Sequence, residues 1–284
     1  MNAPGSVLQF PSRVGLGTWM MGESRAARSR ELGAITHALQ IGYRLFDTAE
    51  IYANGGAERV LGQALREFGA ERRAQLFVVS KVKPAHASRH GTVAACEASL
   101  ERLGCDYLDL YLLHWRGPHA FAHTLHGFAD LQQRGLIRYF GVSNFDLEEL
   151  AGWRDAERSL GLTAGAVCNQ VYYCLQARGI EFELLGWQRA HGMQTMAYSP
   201  LGRGDLVRHP HLARLARERG ASAAQLALAW SIRDADVVTI PKSSNPQRIE
   251  ENWHARELIL DAHELAQLDQ MFPPPRSRRP LDMV

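Results

Sequence analysis

Residues 76–115 read LFVVSKVKPAHASRHGTVAACEASLERLGCDYLDLYLLHW. An apolar run, Leu76–Ser80, leads into a helical segment that stops at Gly104, and a second apolar run, Leu108–His114, follows at once. Short runs this dense in apolar residues suit strands covered on both faces, whereas a half-solvated strand would alternate. A helix between two such strands returns the chain to the starting end of the sheet, so the strands lie parallel with a right-handed crossover.

The same unit recurs along the chain. Strand-like runs stand at Val14–Gly17, Arg44–Phe46, Leu76–Ser80, Leu108–His114, Arg138–Val142, Ala166–Gln170, Thr195–Tyr198 and Val237–Ile240. Helical spacing fills the intervals, as at Leu32, Ile35, Ala38 and Leu39, or Val60, Leu61, Ala64, Leu65 and Phe68. Ser222 is placed to cap the helix from Ala223, and Asn245 with Pro246 starts another. Gly42, Gly69, Gly104, Gly135, Gly161, Gly192 and Gly220 each fall where a helix should end in a left-handed residue. Eight βα units with no Pro/Ser-rich linker predict an α/β fold, a closed (β/α)8 TIM barrel forming a single domain over residues 1–284. Val7–Pro11 is expected to add a small strand, and residues 273–284 to form a Pro/Arg-rich tail on the surface.

Composition narrows the partner. The 284 residues carry a formal net charge of +2, with basic and acidic residues interspersed, so neither nucleic acid nor a membrane surface is favoured. No stretch approaches the roughly 18 uninterrupted apolar residues of a membrane helix, and no basic segment followed by an apolar run stands near Met1. Cys96, Cys105, Cys168 and Cys174 form no C-x-x-C pair and read as packing residues in a reducing compartment. A cytoplasmic monomer acting on a small molecule is expected.

In a barrel of this kind the C-terminal ends of the strands build the site. Asp47 and Tyr52 follow the second strand, Lys81 the third, and His114 with Trp115 the fourth. Ser143 and Asn144, Asn169 and Gln170, Tyr198 and Ser199, and Lys242 and Ser243 stand at the next four ends. Any one of these alone reads as a capping or solvated side chain. Asp, Tyr, Lys and His on three consecutive ends together point to proton transfer. Tyrosine, with an ordinary pKa near 10, needs help: Lys81 would supply positive charge, Asp47 would hold that ammonium, and His114 would direct a carbonyl oxygen. Such a group protonates an alkoxide, so a hydride must come from elsewhere.

His119, His123 and His126 share helical spacing but lack a carboxylate partner, and His209 and His211 flank Pro210 in a loop; no metal site is expected. Gly15-Leu-Gly-Thr-Trp-Met20 has Met20 where a dinucleotide fingerprint needs its third glycine. The better phosphate site is Ile240–Asn252, a strand running into a helix whose free N–H groups are joined by Lys242 and Arg248, a pairing that favours NADPH over NADH. Tyr198 would stack on a nicotinamide and Asn169 and Gln170 would bond its carboxamide.

With these residues in view the chain resembles the aldo-keto reductase family. The matching stretches are GLGTW (15–19), GYRLFDTAEIY (42–52), VSK (79–81), DLYLLHW (109–115), GLIRYFGVSNF (135–145), NQVYY (169–173), AYSPLGRG (197–204) and IPKSSNPQRIEEN (240–252), in family order and spacing. The resemblance implies a barrel that binds NADPH and transfers its hydride to an aldehyde or ketone. It implies Tyr52 as general acid, Lys81 and Asp47 as its tuning pair, and His114 as the substrate-orienting group. Cofactor positions would be Gly17, Thr18, Trp19, Asp47, Ser143, Asn144, Gln170, Tyr198, Ser199, Leu201, Lys242, Ser243, Arg248, Glu251 and Asn252. Trp19, Tyr52, His114 and Trp115 would line the substrate pocket. The short segment after His114 and the brief tail after Phe272 look like those of compact bacterial members, which implies a more open pocket and a small substrate such as methylglyoxal. Two other readings stand beside this: an NADPH-sensing regulatory subunit, and a Schiff-base aldolase using Lys81.

Overall fold

The computed structural model describes residues 8–162 and 164–284. Eight strands, β1 (Leu16–Gly17), β2 (Leu45–Asp47), β3 (Phe77–Val82), β4 (Leu108–Leu113), β5 (Ile137–Ser143), β6 (Cys168–Tyr172), β7 (Gln194–Tyr198) and β8 (Val237–Thr239), form one sheet in chain order. Every neighbouring pair is parallel. The sheet closes on itself through the residues just before β1. Val14 bridges Thr239, the Gly15 N–H donates to the Thr239 carbonyl at 2.8 Å, and the Thr239 N–H donates to the Arg13 carbonyl at 2.9 Å. Each expected strand overlaps an observed one, and Val14–Gly15 is the seam of the (β/α)8 barrel.

Around the strands run α1 (Arg25–Ile41), α2 (Gly56–Phe68), α3 (Arg89–Leu103), α4 (Phe121–Gln133), α5 (Leu147–Ser159), α6 (Leu184–Ala190), α7 (Asp205–Arg208), α8 (Pro210–Glu218), α9 (Ala223–Ser231), α10 (Pro246–His254) and α11 (Ala262–Met271). The Ser222 side chain accepts from the Gln225 N–H while Gln225 returns the bond, and Asn245 accepts from the Arg248 N–H with Pro246 at the first helical position. The seven expected helix-ending glycines all have positive φ, between +64° and +112°.

Alternation along the strands divides the core in two. Leu45, Phe77, Val79, Leu110, Leu112, Cys168, Met196, Val238 and Ile240 form one buried cluster, the filling of the barrel. Phe46, Val78, Tyr111, Leu113, Val142, Val171, Ala197 and Val237 point the other way into the layer shared with the helices. Leu8 and Phe10 stop the end of the barrel where β2 and β3 begin, Phe10 packing edge-on against Phe77 with centroids 5.2 Å apart. Residues 8–11 have no strand pairing, so the small strand expected at Val7–Pro11 is a plug instead; Val7 itself lies outside the described residues. All four cysteines are free, and Cys96, Cys168 and Cys174 are buried.

Candidate active site

The barrel's alternation decides which polar residues converge. Asp47, Lys81, His114, Gln170, Tyr198 and Lys242 each stand two residues beyond an interior apolar residue: Leu45, Val79, Leu112, Cys168, Met196 and Ile240. With a side-chain period of two, each is the next inward position and comes out at the C-terminal rim.

Lys81 is completely buried. Its Nζ donates to Asp47 Oδ1 and Oδ2, both at 2.8 Å, to the Thr48 carbonyl at 2.8 Å and toward Tyr52 Oη at 3.3 Å. Three oxygen-bearing partners for three N–H groups match an ammonium facing a carboxylate. Tyr52 sits in the turn after β2, its N–H bonded to the Ala49 carbonyl. The Tyr52 and His114 rings meet edge to face with centroids 5.8 Å apart, and Trp115 packs on His114 at 4.8 Å. Phenol, ammonium, carboxylate and imidazole therefore meet in one place.

Around them is a second layer of bonds. Thr18 Oγ1 donates to the Asp47 carbonyl at 3.0 Å. Gln170 Nε2 donates to Asp47 Oδ1 at 2.7 Å and to Met196 Sδ at 2.9 Å. Asn144 Nδ2 donates to the His114 carbonyl at 3.1 Å, and its Oδ1 accepts from Tyr198 Oη at 2.8 Å. Ser143 Oγ donates to the Gln170 carbonyl at 2.9 Å. Tyr198 stacks on Tyr172 with centroids 5.8 Å apart.

Burial governs the protonation states. It pushes the Asp47 carboxyl up and the Lys81 ammonium down, and their contact opposes both shifts. Tyr52 is raised well above an ordinary tyrosine by burial first and by the Asp47 charge second. Burial outweighs the help expected from Lys81, so the phenol keeps its proton at neutral pH. His114 is pushed well below an ordinary histidine by burial and then by Lys81, so it is neutral. Its Nδ1 is buried without a partner.

These groups open into a cavity of about 290 Å³ lined by Gly17, Trp19, Asp47, Ile51, Tyr52, His114, Trp115, Ser143, Asn144, Gln170, Tyr198, Ser199, Arg203, Ile240, Lys242, Met283 and Val284. Twelve of the residues singled out from sequence are on that wall, and Lys81 and Thr18 lie just behind it. Asn169 does not line it: it is buried, and its amide bonds the Phe145 carbonyl and Gln188 Oε1. Leu201, Ser243, Arg248, Glu251 and Asn252 are outside the cavity. Arg248 in the first turn of α10 and Glu251 in its second are exposed, and Lys242 lies between the cavity and the helix N-terminus.

Ile51, Arg203, Ile240, Met283 and Val284 were not expected there. Arg203 lies within the AYSPLGRG run; its guanidinium stands 5.2 Å over the Trp19 ring. The tail does cross the surface, Arg178 holding the Phe272 carbonyl at its start and Leu281 packing on the core, but its last two residues return to the cavity. The tail thus forms part of the cavity wall. No described group of three or more His, Cys, Asp or Glu residues could hold a metal, and no described helix is long and apolar enough to cross a membrane.

Residues 13–272 match the model of the aldo/keto reductase family. A methylglyoxal reductase of Escherichia coli, YeaE, is 42% identical over 278 residues, 95% of this chain and 94% of that protein. An aldo-keto reductase of Mycobacterium sp. (strain JLS) is 37% identical over 91% of this chain and 88% of its own. Among solved structures, an aldo-keto reductase from Klebsiella pneumoniae in complex with NADPH superposes with a TM-score of 0.89 at 43% identity, covering 96% of this chain and 95% of its own.

Proposed function

From its membership of the aldo/keto reductase family, which makes this chain an NADPH-dependent reductase of carbonyl compounds, we propose the roles of its residues and the class of its substrate. Tyr52 is the general acid, Lys81 and Asp47 set its environment, and His114 orients the carbonyl oxygen. The observation that carries this is the Tyr52 hydroxyl 3.3 Å from a fully buried ammonium that Asp47 grips through both oxygens.

The residues fit the cofactor. Ser143, Asn144 and Gln170 present amide and hydroxyl groups to the cavity beside the flat face of Tyr198, suited to a nicotinamide, and Lys242 leads toward Arg248 and the free N–H groups of α10, suited to phosphates. Gly17, Trp19, Ser199 and Leu201 flank this path, and Ser243, Glu251 and Asn252 belong to its far end. When bound, NADPH supplies the hydride. The chain's own part is to hold the carbonyl oxygen between Tyr52 and neutral His114, and to pass the Tyr52 proton to that oxygen as it becomes an alkoxide. Lys81 Nζ stabilises the phenolate that remains, and Trp19, Ile51 and Trp115 exclude water.

The substrate we propose is a small aldehyde or dicarbonyl of methylglyoxal type, which suits a cavity of about 290 Å³ and the E. coli relative. The protein works as a monomer in the cytoplasm, in keeping with four free cysteines. A Schiff-base role for Lys81 requires an uncommitted amine, whereas this Nζ is committed to Asp47, Thr48 and Tyr52. In the decisive test, Tyr52→Phe loses roughly 10²- to 10⁴-fold in methylglyoxal reduction while NADPH binding, read by tryptophan fluorescence, is kept. Turnover within tenfold of the parent refutes the assignment.

A further inference from the structure

We infer that Gln170 is a positioning residue that ties the seating of the cofactor's carboxamide to the Asp47–Lys81–Tyr52 chain. The inference rests on the cofactor site proposed above. Gln170 is 2% exposed and lines the cavity. Both N–H groups of its amide are in use, one on Asp47 Oδ1 at 2.7 Å and one on Met196 Sδ at 2.9 Å. A carboxylate and a thioether only accept, so the amide is held with Nε2 inward. Its Oε1 receives no hydrogen bond from any described residue and is not a buried orphan, which leaves it open to the cavity. One amide group thus has one donor on Asp47, the other anchored on Met196, and its acceptor facing the cavity proposed for the cofactor.

The two ends of an amide are coupled. A carboxamide N–H donating to Oε1 polarises the group and makes Nε2–H a stronger donor. Asp47 then shares more of its charge with Gln170. That charge is one of the two influences holding Tyr52 above its ordinary range. Drawing it away makes Tyr52 a better acid when the carboxamide is seated, and less so when the site is empty.

The test uses Gln170→Met, which keeps the length and removes both the donors and the acceptor. Two measurements are made: the Kd ratio between NADP⁺ and its 3-acetylpyridine analogue, which has no carboxamide N–H, and the basic limb of the kcat profile for methylglyoxal reduction. The parent should favour NADP⁺ by about 3- to 10-fold, the range of one hydrogen bond, and the variant should lose that preference while its basic limb moves to higher pH. Met196→Leu, a swap of nearly constant volume, loosens the same amide and should shift the limb in the same direction by less; it serves if Gln170→Met does not fold. Loss of analogue discrimination with an unmoved limb in both variants overturns the coupling and leaves Gln170 as a cofactor contact alone. Unchanged discrimination overturns it at the other end. If Tyr52→Phe keeps full turnover, the underlying acid assignment fails, which is a separate result.

Discussion

Breaking the Asp47–Lys81 pair from one side should destabilise the barrel far more than removing both charges. The ammonium is completely buried and the Asp47 side chain is 3% exposed. Removing one partner from a buried pair of this kind costs about 3–5 kcal/mol, since the other charge is stranded. With an unfolding entropy of about 2.1 cal/mol/K per residue, the 284-residue chain has about 0.6 kcal/mol/K at Tm, so either Asp47→Asn or Lys81→Met lowers Tm by roughly 5–8 °C. The loss in Lys81→Met depends on pH. Without its cation the buried carboxyl has its folded pKa raised above the unfolded value of about 3.9, so the destabilisation is small below that value and grows as pH rises through the folded pKa. The double variant, with no stranded charge, should melt closer to the parent than either single one. Thermal melts followed by circular dichroism at pH 5 and pH 8 supply all the comparisons. Single variants within about 1 °C of the parent, or a double variant equal to the sum of the singles, would refute the reasoning.

Three further outcomes are expected. Arg248→Ala should raise the Kd for NADPH by about tenfold or more, the worth of a charge-assisted hydrogen bond, and leave NADH binding unchanged; equal losses measured by fluorescence titration would remove Arg248 from phosphate recognition. The pH profile of carbonyl reduction should show no inflection near the ordinary histidine value of about 6.5, because His114 is pushed well below it, and activity should fall only above the ordinary tyrosine range, where the raised Tyr52 finally loses its proton; a limb between pH 6 and 7 that vanishes in His114→Gln would contradict this. Met283→Ala should widen the cavity, lowering KM for bulky aromatic ketones and raising it for methylglyoxal; identical KM values would detach the tail from the substrate site.

What could be read from sequence was what is local in sequence. The helix starts at Ser222 and Asn245 and the glycine stops depend on bonds spanning three or four residues, and they were legible. The strand ends were legible because alternation and a closed barrel send every second residue to the same rim, which brought Asp47, Lys81, His114, Gln170 and Tyr198 together before any coordinates. Two things were not. The direction of the Tyr52 shift is set first by desolvation, which a strand-end pattern does not contain. The return of Met283 and Val284 to the cavity depends on the whole path of the tail, including Arg178 gripping the Phe272 carbonyl across 94 positions of sequence. No short motif encodes such a path.

The placement of the charges also tells why they are there. Position 47 follows Leu45 and position 81 follows Val79 on the inward face of a barrel otherwise filled with apolar side chains. A well-packed apolar pair in place of a buried ion pair is commonly neutral or stabilising, so stability does not explain Asp47 and Lys81. Their neighbours do: Thr18 holds the Asp47 backbone, Gln170 holds its carboxylate, and the Thr48 carbonyl accepts one N–H of the ammonium, which leaves Nζ aimed at Tyr52. A pair retained only for folding would not need its last donor directed at a phenol in a cavity. It follows that an apolar replacement of both residues should give a barrel as stable as the parent with its carbonyl reduction lost, and a variant that kept full turnover would show that the ammonium has no part in the proton transfer.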